Sequence, residues 1–133
     1  MNCKQVFAFS SVLLGSVLAE EDHCYALAMS GGGSNGAWEA GVLWGFNHYG
    51  NPSDFEWDSL SGVSAGSINS CALAGWDPKD GFEATAWLSD MWASLTNDTI
   101  WRMWPEGYLE GIFVKQSALN NAPMVDFMKY TFG

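Results

Sequence analysis

Positive charge is scarce in this chain: five Lys and Arg face fifteen Asp and Glu over 133 residues, a formal charge of −10 at neutral pH. A surface of that sign repels phosphate. It disfavours nucleic-acid binding and electrostatic docking on an anionic membrane, because both need Lys and Arg to neutralise phosphate. The same balance also serves as a plain solubility device. Histidine is rarer still, with only His23 and His48, and cysteine is limited to Cys3, Cys24 and Cys71. No third or fourth Cys or His falls near either later cysteine, so no metal site is expected. Repeats, low-complexity tracts and linker-like stretches are all missing, and the length bounds the chain to one domain at most.

The longest apolar stretch lies at the N-terminus. Lys4 supplies a positive n-region, Val6 to Val17 an apolar h-region, and Val17-Leu18-Ala19 ends on a small residue before Glu20. Residues 1–19 therefore read as a signal peptide, with the mature chain starting at Glu20 and a secreted or secretory-lumen location. A membrane anchor is the competing reading, but the stretch is short of the roughly 20 residues needed to span. Removing Lys4 leaves four basic residues against fifteen acidic ones, a formal charge of −11. An oxidising compartment permits a disulfide between Cys24 and Cys71. Each also begins or lies on an apolar stretch, so two buried thiols weigh at least equally. Asn97-Asp98-Thr99 is a glycosylation sequon.

What is present in quantity is glycine, in two short motifs about thirty residues apart: Gly31-Gly32-Gly33-Ser34-Asn35-Gly36 and Gly62-Val63-Ser64-Ala65-Gly66. Each lies where an apolar run gives way to a helical pattern. Cys24 to Met29 reads as a short buried strand, and Gly36 to Tyr49 as a helix stopped by Gly50-Asn51-Pro52. Phe55 to Ser61 reads as a second strand, and Ala65 to Ala74 as a small-residue helix ended by Gly75. Alternation of this kind predicts parallel strands with helices packed on the sheet. Further on, the pattern predicts a helix over Asp80 to Leu95, a strand over Tyr108 to Val114 and a helix over Pro123 to Tyr130. Two or three strands make a small parallel sheet that leaves its edges and a face uncovered, which predicts that the chain is the N-terminal part of a longer domain.

The second motif is the sequence of a nucleophile elbow, in which the chain turns so sharply that glycines are needed on both sides of an exposed serine. Ser64 is thus the candidate nucleophile, with Gly62 and Gly66 as the elbow glycines. The first motif fits an oxyanion loop, whose backbone N–H groups at a helix N-terminus face a developing negative charge. It also fits the dinucleotide fingerprint Gly31-x-Gly33-x-x-Gly36, with Asp54, Glu56 or Asp58 near the offset of a ribose-binding carboxylate. The elbow decides for the hydrolase, since a dinucleotide site has no use for Gly-x-Ser-x-Gly after its second strand. A general base is harder to place. Both histidines precede Ser64, whereas the ordinary α/β-hydrolase order is Ser, acid, His. His48 reads as a polar residue near a helix C-terminus and His23 as a solvated one.

Ser30 to Leu43, followed by Gly62 to Asn69, closely resembles the patatin-like phospholipases. The resemblance implies a three-layer α/β/α sandwich with a mainly parallel sheet, lipid or phospholipid acyl esters as substrates, and neither metal nor cofactor. It implies a Ser-Asp dyad with Ser64 as nucleophile and Gly31, Gly32, Gly33 and Gly36 as the oxyanion loop, the Ala65 N–H being a further donor. On this basis residues 20–133 form the N-terminal part of the family domain. Two departures stand out. The family commonly carries Arg just before the last loop glycine, where this chain has Asn35. Its dyad aspartate lies in Asp-Gly-Gly or Asp-Gly-Ala, and the only Asp-Gly here is Asp80-Gly81-Phe82. Asp80 is expected at the far end of the helix after Ser64, and Asp126 sits on a predicted helix without an adjacent glycine. The base is therefore expected beyond Gly133. A relative that keeps both loops, lacks the base and only binds lipid is the alternative. Trp87, Trp92, Trp101 and Trp104 fit either a lipid-contacting surface or, with more weight, the packed face of a helix.

Overall fold

The computed structural model describes residues 24–133, so residues 1–19, read above as a signal peptide, and His23 lie outside the described residues. Two strands, β1 (Ala26–Met29) and β2 (Ser59–Gly62), pair in parallel with Leu27 opposite Leu60 and Met29 opposite Gly62. A parallel pair needs a crossover, and helix α1 (Gly36–Tyr49) supplies it. Then come α2 (Ala65–Ala74), α3 (Gly81–Ser94), α4 (Asn97–Ile100), α5 (Tyr108–Phe113) and α6 (Ala122–Phe132). This is the α/β architecture with a parallel sheet that the glycine motifs predict.

Helix spacing sets the packing. The buried residues of α1 are Gly36, Ala40, Leu43 and Asn47, and those of α3 are Ala84, Thr85, Leu88 and Met91. Steps of three or four residues, with Thr85 beside Ala84, make each set one stripe. The two stripes meet along the most extensive helix contact of the fold. Small residues on α2, including Ala65, Gly66 and Ala72, let that helix lie close against the sheet. The core joins Met29, Ala40, Leu43, Ala72, Leu88 and Met91, with Leu27, Trp87 and Phe127 packed around it. All of it lies on one side of the strands. On the other side Ala26, Ala28, Ser59 and Ser61 are exposed.

Four local expectations need correction. The first strand begins at Ala26, and Cys24 and Cys71 are both exposed, so neither thiol is buried. Phe55 closes a 3-10 turn, Pro52–Phe55, and the second strand starts only at Ser59, because Pro52 fixes a turn and Asp58 ties its carboxylate to the Tyr25 N–H at 2.8 Å. Tyr108 to Val114 is helical over Tyr108–Phe113 and not a strand. A short apolar run fits either period, and here Glu110 turns back to accept from the Glu106 N–H at 3.1 Å while Gly111 packs beneath Trp104. The helices after Asp80 and around Pro123 form as predicted, within one or two residues.

Candidate active site

Ser64 occupies the single residue between Val63, which follows β2, and α2, and it holds φ 54° and ψ −119°. A non-glycine residue in that region costs of order 1–3 kcal/mol and persists only where its surroundings fix it. They do so here. The Ser64 carbonyl accepts from the Ser67 N–H at 2.9 Å, the Ile68 N–H at 3.3 Å and the Ser67 hydroxyl. The flanking glycines permit the close approach. A Cβ on Gly62 would collide with the Gly66 carbonyl, and one on Gly66 would lie 2.5 Å from the Met29 oxygen. The Gly66 N–H is shared between the carbonyls of Val63 at 3.0 Å and Ser30 at 3.1 Å, which ties the elbow to the end of β1.

The glycine loop arrives beside this turn. A Cβ on Gly31 would stand 3.2 Å from that of Ser64, so the two loops are in contact. Gly33 takes φ +59°, a left-handed conformation that glycine adopts without penalty. The Asn35 N–H bonds the Gly32 carbonyl at 3.1 Å, and the Gly36 N–H turns back to the carbonyls of Gly33 and Ser34. Among the described residues, the N–H groups of Gly32, Gly33, Ser34 and Ala65 have no hydrogen-bond partner. Gly36, whose N–H is engaged, packs instead against the Trp92 ring and Ala65. Asn35 opens onto a different recess, shared with Ser30, Gly31, Trp38 and Glu39.

A polar brace that sequence reasoning missed holds the two loops. Asn69, with none of its surface exposed, donates to the Gly36 carbonyl and to Glu39 Oε2, both at 3.1 Å. Its Oδ1 accepts from Trp92 Nε1 at 2.6 Å. Glu39 Oε1 in turn accepts from the Ser30 N–H at 2.9 Å and the Ser30 hydroxyl at 3.0 Å. One buried amide thus joins α1, α2 and α3 beneath the site. The signal available in the sequence was a lone Asn on an otherwise small and apolar helix.

Gly33, Ser34, Ser64 and Ala65 line one cavity of about 690 Å³, walled by Ile68, Trp92, Leu95, Ile100, Trp101 and Met124. Among the described residues no Asp, Glu or His lines it. Asp80 sits just before α3, Asp126 lies on the exposed side of α6, and neither reaches the cavity. His48 is held elsewhere: its Nδ1 donates to the Trp44 carbonyl at 2.8 Å, and its ring stacks between Trp44 and Phe82. The four tryptophans divide. Trp87 and Trp92 pack against the core, whereas Trp101 is exposed at the cavity wall and Trp104 donates to the Ser117 carbonyl at 3.0 Å. A larger open groove of about 930 Å³, between α2 and α6, holds none of the loop or elbow residues.

The dinucleotide reading fails on direction. Asp54, Glu56 and Asp58 precede β2, whereas the glycine loop follows β1, so in parallel strands the two lie at opposite ends of the sheet. Four residues of strand separate them by about 13 Å, and a ribose carboxylate must stand at the loop end.

The molecule is an α/β protein in which a strained strand-to-helix serine and a glycine loop with unpaired amides open into one apolar cavity. It belongs to the patatin-like phospholipase family, whose model matches residues 27–133, from within β1 through both loops to α6. Compared with curated proteins and with solved structures, the chain gives no match. Family membership carries lipid acyl hydrolysis as the activity class and lipid as the substrate class.

Proposed function

We propose that this chain provides the nucleophile and oxyanion donors of a serine lipid acyl hydrolase working through a Ser-Asp dyad. Ser64 Oγ attacks the ester carbonyl carbon, and its proton passes to the dyad carboxylate. The N–H groups of Gly33 and Ala65, which line the cavity with Ser64, receive the charge that develops on the carbonyl oxygen, each donor being worth roughly a hundredfold or more in rate. Collapse of the tetrahedral intermediate expels the alcohol, which takes the proton, and water then releases the acyl group from Ser64 by the same route. The apolar walls from Ile68 to Met124 suit an acyl chain.

The observation that carries this reading is the meeting of Ser64, at φ 54°, with unpaired amides in one cavity. Among the described residues no carboxylate lines that cavity, which supports a dyad aspartate drawn from elsewhere in the protein. Residues 1–19 are assigned as a cleaved signal peptide on their sequence pattern, with a secreted or luminal product. The test is fluorophosphonate labelling of the full-length protein. Wild type is expected to label and Ser64→Ala to give none, and equal labelling of the two would remove the assignment. The missing carboxylate also favours a second reading, a lipid-binding relative without turnover. Binding of a fatty-acyl ester by the full-length protein with no Ser64-dependent hydrolysis would select it.

A further inference from the structure

The chain leaves the cavity wall at Trp101 and makes an excursion from Arg102 to Asn120, closed at its foot by paired backbone hydrogen bonds of 2.9 Å between those two residues. It is braced internally. Trp104 and Gly111 both meet Ser117, and Lys115 lies 3.9 Å from Glu110 and 5.5 Å above the Trp104 ring. Among the described residues, its helix, α5, has no extensive packing against any other helix or strand. Yet α5 and the residue after it turn Leu109, Ile112, Phe113 and Val114 outward, with Leu109 69% and Phe113 79% exposed.

We propose that this excursion docks the protein on a zwitterionic phospholipid surface, bringing the cavity mouth at Trp101 to the lipid; the proposal rests on the lipid-ester reading of the Ser64 site. Three observations favour lipid as the occupant. Charge is the first. The chain carries −10, but from Trp101 to Asn120 Arg102 and Lys115 balance Glu106 and Glu110, so the apolar face lies on a locally neutral segment. Such a segment suits a zwitterionic surface, whereas an anionic one would repel the remainder. The second is bracing: the carbonyls of Glu110 and Gly111 are bonded within the excursion, so it holds its shape while Leu109, Ile112, Phe113 and Val114 face outward. The third is continuity, because the excursion starts from a residue that walls the Ser64 cavity. Six residues of α5 span only about 9 Å, so the helix lies in the interface and does not cross it.

The test is flotation of the full chain with phosphatidylcholine vesicles, done on Ser64→Ala protein so that a failure of the catalytic reading leaves the binding result standing. The unsubstituted excursion is expected to bind, and the double variant Leu109→Glu, Phe113→Glu to bind at least tenfold more weakly, as loss of two buried apolar side chains requires. Tyr130→Glu, at a site 92% exposed on α6, serves as the control and should bind like the parent. Adding phosphatidylserine should weaken binding of the parent. Because the substituted side chains are exposed, thermal unfolding of the double variant should match the parent. Equal binding by parent and double variant, an equal loss in Tyr130→Glu, or no vesicle binding with self-association that the double variant abolishes would each overturn the proposal. The last outcome would make α5 a protein interface.

Discussion

At Ser64 the backbone holds a conformation that its own Cβ opposes, and the three donors on its carbonyl are what keep it there. Function and stability therefore pull against each other at one residue. Replacing Ser64 by Gly removes the Cβ strain, of order 1–3 kcal/mol, against a glycine chain-entropy cost of roughly 0.5–1 kcal/mol. Ser64→Gly is expected to be about 1 kcal/mol more stable than Ser64→Ala, which keeps the Cβ, while both lose fluorophosphonate labelling. Urea denaturation of the two variants checks this, and equal midpoints would show that the turn is not strained. The serine and its glycines were legible in the sequence because a sharp turn demands particular residues at fixed spacing. The Asn69 brace was not. Its partners, Glu39 and Trp92, lie 30 and 23 residues away, and no local pattern links them.

Among the elements, the paired stripes of α1 and α3 carry the scaffold. Leu88 is wholly buried between them, so Leu88→Ala is expected to cost about 2–5 kcal/mol in denaturant unfolding, through lost burial and the cavity left behind. A much smaller change would mean that the contact between these helices is loose. Gly66→Ala belongs to the same scale, since its new methyl would meet the Met29 and Ser30 carbonyls, which are backbone and cannot move aside. Loss of the native fold is expected, seen as loss of cooperative unfolding. Both long helices were readable because 14 residues repeat the 3.6 period several times. The segment from Tyr108 to Val114 was misread because seven residues repeat it barely twice, and what chose helix was the contact of Gly111 with Trp104 and Ser117.

On the scale of the whole molecule, a chain of charge −10 carries a segment from Trp101 to Asn120 whose charges balance, and the consequence is a particular response to salt. If the neutral excursion anchors the chain, binding to phosphatidylcholine should survive a rise from about 50 mM to about 500 mM salt, since no counterion release is involved. Steep salt release in the flotation assay would instead mean that Arg102 and Lys115 hold phosphate. The α/β class was legible from the order of strands, loops and helices. That a face of so small a sheet stays uncovered was legible too; which face was not, because the Ala and Ser of the open side are small enough to read as buried or exposed. The three-way junction at Asn69 has its own consequence for the molecule as a whole. Glu39 and Trp92 are bonded through the same amide without bonding each other. Substitutions at the two should therefore be thermodynamically coupled: in a double-mutant cycle of Glu39→Gln and Trp92→Phe, followed by urea unfolding, the combined cost should differ from the sum by about 0.5 kcal/mol or more. The glycine loop and the elbow would then inherit their geometry jointly, so that neither could be redesigned as a separate part.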